Sequence, residues 1–250
     1  MKFTGHFATL WVVALVSLLF RQPAARAGDD ENNEYQLNLN PQLRLSDQFS
    51  AFGNFGYYRD PDNSSKYRFG LPGLIWSARP RLQFWGGLDS YYTDNFDKSN
   101  TLELRPFGGI KLFAGTPTTF QFYSFTRYEY RAIENLDTHE WDNYSRIRSR
   151  FGVEFPLTSR TRAWQEKTFY GFTDGEPFYR FDTHEWDQVR VRGGLGCVLN
   201  DRIRMELIYT AQFTRSSSGS SLEHTDNILQ LNIKIALQKG ILARLFNPGD

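Results

Sequence analysis

Cysteine is nearly absent. Cys197 is the only one in 250 residues, which excludes an intrachain disulfide framework and leaves that side chain to act as a small apolar group. A charge of one sign is also missing: 29 Lys and Arg face 28 Asp and Glu, a formal net charge of +1. Nothing in that balance draws nucleic acid, and none is expected as a partner. Beyond Ala27 there is no apolar run long enough for a membrane-crossing helix. Histidine is confined to four positions, so imidazole chemistry has few places to reside.

The N-terminus carries the longest apolar stretch, Phe7 to Phe20, after the positive Lys2. Pro23 and the triplet Ala25-Arg26-Ala27 follow. This is the layout of a secretory signal peptide, with cleavage expected after Ala27. The stretch is short for a membrane anchor, and no cysteine stands at the cleavage point to carry a lipid. The expected organisation is a signal peptide over 1–27 and one domain over 28–250. Cleavage removes Lys2, Arg21 and Arg26 and no acid, leaving 26 basic against 28 acidic residues, a net charge of −2.

The chain is polar on average, with a mean hydropathy of −0.53, yet 16% of it is aromatic. A barrel whose strands show apolar residues to lipid only at alternate positions, with aromatic girdles at the two interfaces, reconciles these. Period-two alternation supports it. From Ile203 one face reads Ile203, Met205, Leu207, Tyr209, Ala211, Phe213, while Arg204, Glu206, Ile208, Thr210 and Gln212 form the other. Leu229, Leu231, Ile233, Ile235 and Leu237 likewise alternate with Gln230, Asn232 and Lys234. Ile147, Phe151, Val153 and Phe155 alternate with Arg146, Arg148, Arg150 and Glu154. A helix would scatter such charges through its apolar stripe.

Eleven strand windows emerge, at roughly 34–45, 48–59, 66–77, 81–93, 100–113, 118–131, 141–156, 161–172, 186–199, 202–214 and 227–238. Most reach the 9–11 residues that a tilted strand needs to cross a bilayer. Between them, short turns such as Asn200-Asp201 alternate with longer polar stretches: 60–65, 94–100, 132–140, 173–185 and 215–226. Short periplasmic turns and long outer loops are the pattern of an outer-membrane barrel. Bacterial barrels of this kind usually have an even strand count. The fold class expected is therefore all-β, an antiparallel transmembrane barrel of about twelve strands. The closing strand is either a piece near 30–34 or the tail Ile241 to Phe246. Outer-membrane lipid and the barrel assembly machinery are the expected partners, and the Gram-negative outer membrane the expected location.

One segment is repeated. Asp137-Thr138-His139-Glu140-Trp141-Asp142 returns as Asp182-Thr183-His184-Glu185-Trp186-Asp187, each copy ending a polar stretch and entering a strand with alternate arginines. The plain account is a duplicated loop-to-strand device with an interfacial Trp.

Several segments resemble an uncharacterised family of outer-membrane proteins, domain of unknown function 2490. Leu102-Glu103-Leu104-Arg105-Pro106-Phe107 resembles its Glu-x-Arg-Pro-aromatic motif. Arg127-Tyr128-Glu129-Tyr130-Arg131 resembles its alternating Arg/Glu strand, continued by Arg146-Ile147-Arg148. Glu166 through Phe169 resembles a Glu-x-x-Phe stretch, and Asp187-Gln188-Val189-Arg190-Val191-Arg192-Gly193 its Asp-Gln-x-Arg strand, with Val189 where the family usually has Asn. The resemblance covers most of the mature chain. It implies a membrane barrel with a charge-laddered interior and no particular activity.

The first candidate site is that ladder: Glu103, Arg105, Arg127, Glu129, Arg131, Arg146, Arg148, Arg150, Glu154, Glu166, Arg190, Arg192, Arg204 and Glu206, all on polar strand faces. It reads either as the lining of a porin-like channel for small polar solutes or as a salt-bridged plug in a closed scaffold whose outer loops meet partners. His139 and His184 are weak metal candidates, because His and Glu adjacent on a strand point to opposite faces. A lipid or ester hydrolase would need a Ser/His pair, for which only the serine-rich 216–221 stretch and His224 offer material. No Gly-x-Ser-x-Gly elbow is present. Gly193-Gly194-Leu195-Gly196 precedes no helical pattern and is no phosphate loop. Phe178 and Tyr179, read as loop aromatics, offer faces for sugar stacking. Neither enzymatic activity nor a cofactor is expected.

Overall fold

The computed structural model describes residues 32–115, 119–158, 167–216 and 221–237. The proposed signal peptide, Glu166 and the tail Ile241 to Phe246 lie outside them. The described residues form eleven strands: β1 (Asn32–Arg44), β2 (Phe49–Asp60), β3 (Ser64–Arg79), β4 (Leu82–Asn95), β5 (Thr101–Gly115), β6 (Gln121–Asn135), β7 (Trp141–Pro156), β8 (Thr168–Arg180), β9 (Glu185–Val198), β10 (Ile203–Arg215) and β11 (Leu222–Leu237). Each pairs antiparallel with its sequence neighbour, and β1 pairs with β11 to close a barrel.

The expected twelve strands become eleven among the described residues, and the parity has a geometric consequence. Every hairpin reverses direction, so an eleventh strand runs the same way as the first. Closure must then be parallel, and β1 and β11 pair so from Asn32↔Asp226 to Leu43↔Leu237. Membrane barrels of odd strand number exist, so parity does not count against that class.

The expected contrast between short turns and long loops is also corrected. The strands run into the polar stretches: β6 reaches Asn135, β8 reaches Arg180 and β11 begins at Leu222. The longest connection, from Pro156 to Thr168, lies instead at the end assigned short turns. Alternation of apolar and polar residues fades toward the strand ends, where both faces are polar, but the hydrogen-bond ladder continues there. Periodicity therefore undercounts strand length.

Alternation sets the two faces of the wall. Phe69, Leu112, Phe122, Phe151, Leu195 and Tyr209 stand exposed on the outside, Leu195 at 60% and Phe151 at 57%. Their chain neighbours turn inward. Five prolines sit within strands; Pro156 ends β7, and each of the other four marks a lapse in one ladder, as suits a residue without an N–H. Pairing skips across Pro41 in β1–β2, Pro72 in β2–β3, Pro106 in β5–β6 and Pro177 in β7–β8.

Inside the lower half, the end bearing the β1–β2 and β9–β10 turns, rings lie flat against glycines of the next strand. Phe52, Ile75 and Phe107 form one cluster, and Tyr170, Phe172, Val198 and Ile208 another. A Cβ on Gly196 would sit 2.1 Å from Tyr170 Cζ, and that ring cannot swing aside freely because its hydroxyl donates to Glu206 at 2.7 Å. Gly193, on the outer face of the same strand, has nothing within 4 Å of its Cβ position. Gly196→Ala is therefore expected to lower stability by about 1–3 kcal/mol through overpacking, with Gly193→Ala near neutral. Urea unfolding of the pair checks this; equal midpoints would mean that the ring does not press on the wall.

Candidate functional site

The inner wall gathers charge at mid-height. Period two turns Glu103 and Arg105 of β5, Arg127, Glu129 and Arg131 of β6, Arg146, Arg148 and Arg150 of β7, and Arg190 and Arg192 of β9 into the lumen. Arg68 of β3, Asp89 of β4, and Asp174 and Glu176 of β8 join them. Nine arginines and five carboxylates thus form a belt along β3 to β9. The facing wall is mostly amide, with Gln36, Asn38, Gln212, Gln230 and Asn232, and its acids Glu34, Asp226 and Glu206 accept from those amides.

Four groups can be distinguished. Near the upper end, Glu103 accepts from Arg105 Nε at 2.7 Å and from Arg131 Nε and Nη2 at 2.5 and 2.7 Å. Arg131 also donates to the Tyr144 hydroxyl, and Arg105 lies 4.3 Å from the Tyr91 ring. Next, Asp89 accepts from Arg68 Nη2 at 2.6 Å and Asn54 Nδ2 at 3.2 Å, with Arg127 at 3.8 Å. Third, Glu129 sits under three guanidiniums: Arg127, Arg146 at 2.7 Å and Arg148 at 3.0 Å. Last, Glu176 accepts from Arg150 Nη2 at 2.9 Å, and Asp174 accepts from Arg192 Nε and Nη2 at 2.7 Å and from the Tyr123 hydroxyl at 2.7 Å.

Burial is complete at the centre. Asp89 and Glu129 are 0% exposed, Glu176 is 1% exposed, and the Phe178 ring is 0% exposed. Guanidiniums of Arg146, Arg148 and Arg190 lie 5.0, 5.5 and 5.1 Å from that ring. Buried ions keep their charge only where partners replace water, and sharing carboxylates among arginines is how the belt does so. Chemically, it can hold or repel ions by charge.

The sequence-derived residues divide accordingly. Ten of them share the belt. Glu206 lies lower, accepting from Lys234 Nζ at 2.6 Å and the Tyr170 hydroxyl. Arg204 pairs in register with Lys234, and Glu154 with Gln121. Sequence reasoning missed Arg68, Asp89, Asp174 and Glu176. The sequence places the last two in a loop over 173–185, because Asp174-Gly175 and Pro177 have turn chemistry. They lie within β8, which takes the place of the expected strand at 161–172. The available signal was the period-two series Tyr170, Phe172, Asp174, Glu176, Phe178. Phe178 and Tyr179 are strand residues, not loop aromatics, and Phe178 is enclosed in the lumen.

The repeated segment makes two copies of one hairpin corner. His139 and His184 both take left-handed backbone, φ 57° and 56°, a conformation in which His is enriched among non-glycine residues. In the first copy His139 N donates to Asn135 O at 2.7 Å, and Asn135 Oδ1 accepts from Asp137 N and Thr138 N. In the second, Asp182 accepts from Arg180 Nη2 at 2.5 Å and Nε at 3.1 Å, which holds its carboxyl below the usual aspartate range. Trp141 and Trp186 then enter β7 and β9 exposed on the outer face. No group of three metal-ligating side chains occurs among the described residues, so the two weak metal candidates have a backbone role as their observed one. The His224 ring lies tilted 5.2 Å from that of Phe213 in the β10–β11 pair, and most of the serine stretch beside it lies outside the described residues.

No curated protein and no solved structure matches the chain. One family model matches residues 26–223, described as a protein of unknown function, DUF2490. The match spans most of the barrel, from ahead of β1 into the start of β11, and takes in every belt residue. The chain belongs to the DUF2490 family.

Proposed function

We propose that the mature chain is an outer-membrane barrel whose lumen is closed at rest by the arginine–carboxylate belt, a scaffold that presents its hairpin ends to partners. One observation carries this reading: the wall is inverted. Phe151, Leu195 and Tyr209 stand exposed outside while Asp89, Glu129 and Glu176 are enclosed within. A water-soluble β-protein hides the first kind of residue and solvates the second. The N-terminal pattern of 1–27 supports export, with lipid and the assembly machinery as the partners such a barrel meets. Glu129, Asp89 and Phe178 at 0% exposure favour closure over an open porin.

The test is fractionation followed by planar-bilayer recording of the refolded mature chain. The expected result is a protein that requires detergent for extraction and gives no current steps above bare-membrane background. Recovery without detergent would overturn the membrane reading. Discrete ohmic steps would overturn the closed lumen. They would favour the second reading, a porin-like channel for small polar solutes, for which the surplus of lumen arginines is the specific support.

A further inference from the structure

The charges of the belt do not balance, and the surplus has an address. Nine arginines meet five carboxylates, and burying an unmatched cation is costly. Arg190 is the unmatched one. Its only hydrogen bond runs from Nε to Gln212 Oε1 at 2.7 Å, and no carboxylate oxygen lies within ion-pair distance of it among the described residues. Glu176 stands directly across the β8–β9 pair from Arg190, but its carboxylate is taken up by Arg150 at 2.9 Å and Arg148 at 3.5 Å; Asp226, one strand further on beyond Gln212, is held by Gln212 and Thr225.

Arg148 beside it is poorly matched. Its two carboxylates, Glu129 at 3.0 Å and Glu176 at 3.5 Å, are each held closer by another arginine: Arg146 at 2.7 Å and Arg150 at 2.9 Å. Arg148 Nε lies 3.0 Å from Glu129 Oε1 and Arg150 Nε 3.9 Å from Asp174 Oδ1, both buried and neither in hydrogen-bond geometry. Directly across the β6–β7 pair from Arg148 stands Arg127, a like charge. Guanidinium N–H groups thus collect around the Phe178 ring faster than acceptors do. The rim acids at this end, Glu34 and Asp187, make no ion pair among the described residues and act on Arg190 and Arg146 only at longer range; Glu34 accepts from Gln36 Nε2, and Asp187 Oδ1 is buried without a hydrogen bond. Opposite, Gln36, Gln212 and Gln230 each donate through Nε2 to Glu34, Asp226 and Asn232, which leaves one N–H of each amide for a further acceptor.

We propose that Arg148 and Arg190, with Arg146 behind them on the Phe178 ring, form a binding site for a phosphate-class oxyanion inside the lumen. Guanidinium forks match the spaced oxygens of such a group, which a spherical chloride lacks. The group arrives either as free phosphate or as a lipid headgroup; the recognising chemistry is the same. The proposal rests on the belt and not on the membrane. A chain recovered without detergent would overturn the membrane reading and leave this one standing.

The test uses the full mature chain, delipidated and refolded in non-ionic detergent. Inorganic phosphate is titrated by calorimetry and by thermal unfolding against sodium chloride at matched ionic strength. The expected result is saturable phosphate binding and a rise in midpoint of about 5 °C near saturation. Arg190→Gln should abolish the saturable component, and Arg190→Lys should weaken it at least tenfold while retaining charge and fold. Arg44→Gln, at an exposed turn, should bind as the parent does. Saturable binding of short-chain phosphatidic acid without that of free phosphate, again lost in Arg190→Lys, would assign the site to a lipid headgroup. Phosphate and phosphatidic acid shifting the midpoint no more than chloride, or unchanged binding by Arg190→Lys, would overturn the proposal.

Discussion

Glu129→Gln is expected to destabilise the barrel by about 3–5 kcal/mol, the range for removing one partner from a buried ionic network. Glu129 is 0% exposed and is, among the described residues, the only carboxylate that Arg127, Arg146 and Arg148 all approach within 4 Å. Arg127 and Arg148 are direct cross-strand neighbours, so the glutamate holds together two like charges that would otherwise repel. Glutamine keeps the shape and removes the charge, leaving three guanidiniums with Asp89 at 3.8 Å and Glu176 at 3.5 Å as the next acceptors. The double variant Glu129→Gln with Arg148→Met should recover part of the loss, because it deletes a cation along with its counter-charge. Recovery of this kind separates a charge effect from a packing effect. Urea unfolding from phospholipid vesicles measures both. A single-variant loss below about 1 kcal/mol, the range of exposed ion pairs, or a double variant worse than the sum of the two singles, would mean that Glu129 does not organise the belt.

The belt was half visible in the sequence, and the reason lies in how its halves are written. The arginines of β6, β7 and β9 stand at strict two-residue spacing, so alternation alone points Arg146, Arg148 and Arg150 the same way. The acids that answer them come from elsewhere. Asp89 is the lone acid in the middle of an aromatic strand. Asp174 and Glu176 alternate correctly but are interleaved with Gly175 and Pro177, whose local chemistry signals a turn. Tertiary pairing overrode that signal: β9 pairs across from Pro177, and the β7 ladder simply lapses there. Which carboxylate serves which arginine depends on register between strands, and no single-strand pattern contains it.

Strand number had a different obstacle. Ten of the eleven strand windows coincide with observed strands to within a few residues, since apolar alternation marks the central part of each strand well. The twelfth was inferred from the even-number habit of bacterial barrels and not from any pattern in the chain. Asn32 to Glu34 prove to be the start of β1, lying against Asp226 to Ile228. A parallel closure leaves no local trace, because a strand's own alternation reads the same whichever way its neighbour runs.

Val191→Arg is expected to cost about 2–4 kcal/mol when the barrel is folded in phospholipid, the measured range for arginine on the lipid face near the bilayer midplane. Val191 is 50% exposed on the outer face near the centre of β9, between Gly175 of β8 and Ala211 of β10. Neither neighbour offers a carboxylate, and both are too small to bury against the new stem. In water the same substitution would be a surface change worth no more than about 0.5 kcal/mol in either direction. The two environments therefore predict outcomes several-fold apart for one residue that touches no part of the belt. Glu185→Arg, at the exposed start of the same strand, should cost no more than about 1 kcal/mol in both, the range of the exposed ion pair with Arg215 at 3.7 Å that it removes, which controls for strand propensity and net charge. Unfolding free energies in vesicles decide between them. A large penalty at 191 with a small one at 185 places apolar medium against the middle of the wall. Equal small effects at both would mean that water surrounds it, and the exposed Phe151, Leu195 and Tyr209 would then need a protein partner to cover them.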